Sequence, residues 1–293
     1  MITFFAIPKA FSGHIGTIQL NAVRSWARLT GCQILLLGRD AGVADAAAAI
    51  GAEHLPDVAV NEFNTPLLDS AFRMARQHAL HGLICYVNSD IILLDDFLTV
   101  VRGIPFDDFL MAGRRWNVSI TAPLDFELPG WEAALRKLVA SSGTLYSQYG
   151  SDYFVLRRDS ALVELPPFAV GRPRWDNWML YRARQLGVPV IDATTAVTVV
   201  HQDHDYAHIP QRQGPTWGGP EAERNAHLGE AARQQFGLMD ATHVIRRGRV
   251  ARALTWPYLR ARIYALPVLH PAVRPLWNVL RQVKRAVSRL LPR

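Results

Sequence analysis

The stretch GLICYVNSDIILLDDF, residues 82–97, decides how this chain folds. Leu83-Ile84-Cys85-Tyr86-Val87 is an unbroken apolar run, and such a run bounded by turn residues predicts a strand buried on both faces. It stops on Asn88-Ser89-Asp90, and a second apolar run then ends at Asp95-Asp96, where a helix is expected to start. The polar triplet has two readings. Asn88 and Asp90 are either turn residues bonding to their own backbone, or oxygen donors held at the end of a rigid strand.

Outward from this stretch the chain alternates between strand and helix patterns. MITFFAI and CQILLLG read as strands, and GTIQLNAVRSWARLTG carries an apolar stripe at Ile18, Ala22, Trp26 and Leu29. VADAAAAIG is a short helix closed by Gly51, and TPLLDSAFRMARQHALHG is a helix opened by Thr65 and Pro66. After residue 97, FLMAGRRW is expected as a strand, WEAALRKLVASSG as a helix, DYFVLRR as a strand and WDNWMLYRARQLG as a helix. AVTVVHQDHD is read as a further strand of the same sheet. This order predicts an α/β fold with a mostly parallel, Rossmann-like sheet sandwiched by helices, whose ligands bind where the strands end. Chemistry-bearing residues gather at those ends: Pro8-Lys9, Arg39-Asp40, Asn88-Ser89-Asp90, Arg114-Arg115 and His201 to His204.

The bulk composition narrows the class. With 293 residues, 49% hydrophobic and 19% charged, the chain has enough apolar material for a large core and is not a disordered protein. Cys32 and Cys85 both sit in apolar runs, as reduced core cysteines of a cytoplasmic chain would. The N-terminus lacks the basic region of a signal peptide, and no apolar stretch is long enough to predict a spanning helix. The net charge of +7 is unevenly distributed. Residues 246–293 hold 12 Lys and Arg and no acidic residue; residues 1–245 hold the other 20, against 25 Asp and Glu, a net of −5. The basic character therefore belongs to the tail, and a nucleic-acid partner is not expected.

Three positions carry the chemical hypothesis. Asp90 at a strand end suits a hard divalent cation bridging to a diphosphate. His201 ends an apolar strand and is followed by His204, Asp205 and His208; with no cysteine nearby, labile Mn²⁺ or Mg²⁺ is favoured over structural zinc. Asp176 lies between Trp175 and Trp178 at a helix start, where aromatic flanks raise its pKa and the helix terminus lowers it. It is read either as a general base toward a hydroxyl or as a simple helix cap. Asp152, before its strand, is a sugar contact or a turn residue; Arg114 and Arg115 suit phosphate or pairing with acidic neighbours, and their place on the strand-end edge favours phosphate. Trp175, Asn177 and His204 complete the substrate-binding candidates. The two glycines of GHIGTIQLN fall short of a phosphate-cradling loop. GPTWGGPEAERN, residues 214–225, has the composition of a lid or of an ordinary loop.

Taken in order, FFAIPKAF, YVNSDIILLDDF, GRRW, GSDYFVLRRD, RPRWDNWMLYRARQLGVPVIDAT and VVHQDHDY resemble glycosyltransferases of the GT-A fold. The likeness is to a bacterial glycosyltransferase-like group linked to surface polysaccharide synthesis, and it spans about residues 1–245. The resemblance implies a nucleotide-diphosphate sugar donor held with Mn²⁺ or Mg²⁺. Asn88-Ser89-Asp90 stands in the place of the metal-binding DxD motif, with Asp90 as metal ligand and Asn88 departing from the motif as a sugar or ribose contact. It implies that His201 completes the metal shell and that Pro8, Lys9 and Asp40 contact the nucleotide. It further implies Asp176 as the base of an inverting hexosyl or pentosyl transfer, although WDN matches the family's xED setting only in part.

The tail forms the second expected unit. Within RPLWNVLRQVKRAVSRLLPR, the residues Leu276, Leu280, Val283, Val287, Leu290 and Leu291 form one helical stripe with Arg281, Lys284, Arg285 and Arg289 flanking it. A basic amphipathic helix of this kind suits an anionic membrane surface, or docking on the body or on a second protomer. The expectation is an enzyme on the inner face of the cytoplasmic membrane, acting on a glycan or lipid-linked acceptor, and a homo-oligomer is compatible with the tail. A nucleotidyltransferase, a sugar-nucleotide hydrolase and a scaffold that has lost its chemistry fit the same motif.

Overall fold

The computed structural model describes residues 1–203, 218–232, 236–280 and 282. His204, His208, residues 214–217 of the expected lid and the stripe residues Val283, Val287, Leu290 and Leu291 lie outside the described residues. The first half of the chain runs β1 (Ile2–Ala6), α1 (Gly13–Ala27), β2 (Gln33–Leu37), α2 (Val43–Ile50), β3 (Glu53–Leu55), α3 (Leu68–His78) and β4 (Leu83–Val87). After the polar triplet come β5 (Ile91–Leu93), α4 (Asp96–Arg102), β6 (Leu110–Ala112), β7 (Trp116–Val118), α5 (Trp131–Ser142), β8 (Thr144–Leu145) and β9 (Tyr153–Arg157). The chain continues through α6 (Trp175–Leu186), β10 (Val190–Asp192), β11 (Val199–Gln202), α7 (Pro220–Leu228), β12 (His243–Arg246), β13 (Arg249–Arg252) and α8 (Trp256–Leu269).

Two sheets result among the described residues. The large one has the order β13-β12-β10-β6-β9-β4-β1-β2-β3, and a four-stranded one has the order β5-β11-β7-β8. In the large sheet β9 runs antiparallel to both β4 and β6, and β13 antiparallel to β12, while the remaining pairings are parallel. Alternate residues of each central strand face opposite layers. Phe5, Ile84, Tyr86, Phe154 and Leu156 join one core cluster, and Phe4, Cys85, Val87, Tyr153 and Val155 join the other. Apolar residues at successive positions are thus both buried, which is why Leu83–Val87 reads as a continuous run.

Four sequence expectations differ from the structure, the first being FLMAGRRW, which is two strands and not one: Leu110–Ala112 pairs in the large sheet and Trp116–Val118 in the small one. The strand carrying His201 belongs to the small sheet, because it pairs antiparallel with β5 and parallel with β7. α3 begins at Leu68 with Leu67 as its cap; Thr65 instead lies in the preceding turn, where its N–H donates to Asn61 Oδ1 at 3.0 Å. α4 starts where Asp95-Asp96 predicts, but neither carboxylate caps it; both receive Arg136, through Nη2 to Asp95 Oδ1 at 2.7 Å and Nη1 to Asp96 Oδ2 at 2.8 Å.

Position 245/246 lies within β12, and β13 extends the large sheet beyond it. α8 lies against the body through Ala265, which is fully buried, and through Tyr258, whose hydroxyl donates to Asp192 Oδ2 at 2.8 Å. Arg262 Nη2 reaches the carbonyls of Thr242 and Ala253 at 3.0 and 3.1 Å. No helix among the described residues is long and apolar enough to cross a membrane.

Candidate active site

Strand register brings the first two candidates together. Asp90 is the last residue before β5, and His201 of β11 pairs with Ile91. The two side chains therefore lie side by side, with His201 Nε2 3.5 Å from Asp90 Oδ2, although 111 residues separate them in sequence. His201 is 5% exposed, and its Nδ1 lies 3.6 Å from Asp203 Oδ1. Gln202, fully buried, fixes the backbone here: its Nε2 donates to Asp90 O at 3.2 Å and Ile18 O at 2.7 Å, and its Oε1 accepts from Asn21 Nδ2 at 2.9 Å.

The loop after β1 meets the same edge. Gln19 of α1 accepts the Lys9 N–H at 2.7 Å and the Ser89 hydroxyl at 2.9 Å, and donates to Lys9 O at 2.9 Å. One amide thus links Lys9 to the polar triplet. Protein packed around the Lys9 ammonium lowers its pKa; Asp90 and Asp40 pull it upward, and Arg172 pushes it further down. Pro8 is buried and Asp40 is exposed at this edge.

Asn88, Asp152 and Asp176 share a cleft of about 310 Å³ with Arg115, Tyr146, Arg172 and Trp175. Antiparallel pairing of β4 with β9 sets Asn88 against Asp152, whose carbonyl accepts the Asn88 N–H at 2.8 Å. Asn88 Nδ2 also donates to Asp152 Oδ1 at 2.8 Å, and Arg115 pairs with that same oxygen while stacking 4.1 Å above the Tyr146 ring. Asp152 Oδ2 is buried and has no hydrogen-bond partner among the described residues. Burial of a carboxylate oxygen without a partner is costly, so a ligand hydroxyl would be well received there.

Asp176 sits in the first turn of α6, after Arg174, a non-glycine residue held at φ 91°. That strained backbone delivers Trp175 into the core, edge-on to Tyr86 at 4.8 Å and Phe154 at 5.3 Å, and leaves Asp176 at the cleft. Burial raises Asp176 from 3.8 to about 6, the nearby Asp152 charge adds to this, and N–H groups of Asn177 and Ser151 oppose it. The competition read from sequence is thus decided in favour of desolvation. Asn177 anchors the helix start instead, donating to Tyr149 O at 2.9 Å and Phe236 O at 2.7 Å. Arg114, expected to meet phosphate, is not among the residues lining the cleft; its guanidinium donates to the carbonyls of Tyr146 and Leu145, at 2.5 and 3.3 Å.

Gln19, Gln202, Tyr146 and Arg172 were not singled out by sequence. Only Arg172 left a signal there, as one of the arginines in GRPRW just before Asp176.

No protein-family model matches the chain, and no curated protein matches it in sequence. Solved structures do share its architecture. GalNAc-T7, solved with UDP, GalNAc and Mn²⁺, superposes with a TM-score of 0.50 at 14% identity, over 79% of this chain and 48% of that one. The mannosyltransferase PcManGT from Pyrobaculum calidifontis, in complex with GDP-Man and Mn²⁺, matches 99% of this chain and 80% of its own at 12% identity and a TM-score of 0.47. Glucosyl-3-phosphoglycerate synthase from Mycobacterium tuberculosis, in complex with Mn²⁺, UDP and phosphoglyceric acid, gives 16% identity and a TM-score of 0.44 over 76% of this chain and 80% of that one. The fold expected from the strand and helix order is therefore the one observed: this chain has the GT-A glycosyltransferase fold.

Proposed function

We propose that this protein is a metal-dependent glycosyltransferase moving a sugar from a nucleotide-diphosphate donor to a hydroxyl of a glycan or lipid-linked acceptor. The observation that carries the reading is Asp90 Oδ2 lying 3.5 Å from His201 Nε2, beside the cleft that holds Asp176. GalNAc-T7, of the same fold, binds UDP and Mn²⁺. We extend that chemistry here because the residues fit it.

The fit to a cation rests on donor chemistry. A carboxylate oxygen and an imidazole nitrogen this close can share one ion, and both are donors that Mn²⁺ accepts. Asp90 and His201 would hold Mn²⁺ or Mg²⁺. Such an ion would supply positive charge to offset that on a departing nucleoside diphosphate. Lys9 adds a cationic group at the same edge, and Pro8, Asp40 and Ser89 line the nucleotide side. Asn88 and Asp152 face the sugar, with Arg115 and Tyr146 setting the position of Asp152.

Asp176 takes the proton. With a pKa of about 6 it is largely ionised at pH 7 and still basic enough to accept a proton from an acceptor hydroxyl. As that oxygen bonds to the anomeric carbon, the bond from this carbon to the diphosphate oxygen breaks, giving an inverted sugar. In a retaining reaction Asp176 would instead bind the acceptor or donor. We place the protein in surface polysaccharide or glycolipid synthesis, peripheral on the inner face of the cytoplasmic membrane. The support is the basic tail together with exposed apolar residues from Leu254 to Leu280, among them Trp256 at 68% exposure.

Calorimetric titration of UDP and GDP tests the metal half of this reading. We expect Mn²⁺ to strengthen binding of one of them by about tenfold or more, and Asp90→Ala and His201→Ala to lose that gain. Binding indifferent to Mn²⁺, or unchanged in Asp90→Ala, would remove the assignment.

A further inference from the structure

Arg172 stands on the wall of the cleft together with Asn88, two residues before Asp90. The arginine is held by a residue from a different part of the chain. Glu221, in the first turn of α7, accepts Arg172 Nη2 at 2.5 Å and Nε at 3.1 Å, both on Oε2. Its other oxygen, Oε1, accepts Asn61 Nδ2 at 2.6 Å, and the Thr65 hydroxyl also donates to this carboxylate. Glu221 is 4% exposed. Burial alone would raise its pKa, but the hydrogen bonds from Asn61, Thr65 and Arg172 prevail and hold it below the ordinary carboxylate value.

The backbone around Arg172 is held by the same helix. Asn225, one turn after Glu221 and fully buried, accepts the Ala169 N–H at 2.9 Å and donates to the carbonyls of Ala169 and Pro173 at 3.0 and 3.3 Å. Residues i and i+4 share a helix face, so α7 presents one edge that grips both the main chain flanking Arg172 and its guanidinium. A second pair on the helix, Arg224 with Glu62, is exposed and contributes little by comparison. A surface helix needs no buried, fully satisfied glutamate to lie on a loop. The hydrogen bonding of Glu221 fixes one orientation of one arginine.

We propose that Glu221 is a positioning residue for donor recognition: it fixes Arg172 so that its guanidinium meets the diphosphate of the nucleotide sugar at the cleft. The inference rests on the glycosyltransferase reading above and adds to it a diphosphate-binding arginine together with the residue that aims it. Arg172 supplies charge complementarity, and Glu221 supplies geometry. Simple charge compensation predicts the reverse effect, because deleting a carboxylate beside an anion site strengthens anion binding.

The test is calorimetric titration of the full chain with UDP, GDP, inorganic pyrophosphate and the nucleosides uridine and guanosine, in Mn²⁺. In Glu221→Gln we expect about a tenfold weaker grip on the diphosphates, with the nucleosides unaffected. Arg172→Lys should lose a similar factor, and the double variant little more than either single one. Glu221→Asp, which keeps the charge on a shorter arm, should recover part of the loss, and thermal melting of each variant tests its fold. Unchanged or tighter diphosphate binding in Glu221→Gln would overturn the proposal. So would an equal loss for nucleosides in both Glu221→Gln and Arg172→Lys, which would mark a purely structural tie. Wild-type protein that binds no diphosphate would instead remove the donor reading itself, and this inference with it.

Discussion

Asp176 is the residue whose environment determines most about its chemistry. Packed beside Trp175 and near the Asp152 charge, it titrates near 6 rather than 3.8. In the base role proposed for it Asp176 must be ionised, so turnover should fall as the pH drops through about 6, and Asp176→Asn should lose about 10²- to 10⁴-fold. Its raised pKa has a thermodynamic counterpart. The folded state holds the proton more tightly than the unfolded chain, so the stabilisation is complete below pH 3.8 and lost as pH rises through about 6. Asp176→Asn, neutral throughout, should then be more stable than wild type above pH 6 by up to about 3 kcal/mol, less where cleft water screens the carboxylate, and the gap should close toward pH 4. Chemical denaturation at pH 4 and pH 7.5 measures it. A gap of equal size at both pH values would show that the carboxylate is not desolvated.

At the scale of elements, the small sheet explains why Asp90 and His201 meet. β5 follows Asp90 directly, and pairing it with β11 sets His201 opposite Ile91, so a one-residue slip would turn His201 to the other face. α1 stabilises this register: Trp26 Nε1 donates to Ile91 O at 2.8 Å, and the Leu93 N–H donates to Ser25 Oγ at 3.1 Å. At the other end of the chain, α8 turns Ala265 inward and leaves Trp256, Ile263 and Tyr264 exposed, and residues 274–280 continue with Leu276, Val279 and Leu280 exposed. Apolar side chains in a segment rich in arginine suit an anionic bilayer, where each basic residue near the surface adds about 1 kcal/mol, screened by salt. Co-sedimentation should therefore show binding to phosphatidylglycerol vesicles that weakens in high salt and in Trp256→Ala, with little binding to phosphatidylcholine. Equal binding to both vesicles, or none to either, would leave this surface to another chain.

At the scale of the molecule, the sequence announced the elements whose pattern is local. β1, β2, β4 and β9 are apolar on both faces, and α5 carries its own stripe, so their positions follow from periodicity. β10 leaves little local signal, because Val190–Asp192 is three residues long and its identity as a strand comes from β6 and β12 on either side. The hairpin of β12 and β13 was missed for a related reason: four-residue strands rich in arginine offer little alternation to read. Of the candidate residues, Asn88 and Asp90 follow β4, whose apolar run the sequence shows, and the pairing of β5 with β11 brings His201 beside them. The Glu221 clamp was not legible, since Asn61, Arg172 and Glu221 come together across as many as 160 positions, which no local pattern encodes.

The central claim is sugar transfer, and product analysis tests it most directly. Purified protein would be incubated with Mn²⁺, radiolabelled UDP- and GDP-sugars and membrane extract as acceptor, and the products resolved. Sugar transfer gives nucleoside diphosphate release matched by label in the acceptor, with both lost in Asp90→Ala. Inorganic pyrophosphate or free sugar as the main product, or full turnover in Asp90→Ala, would contradict it.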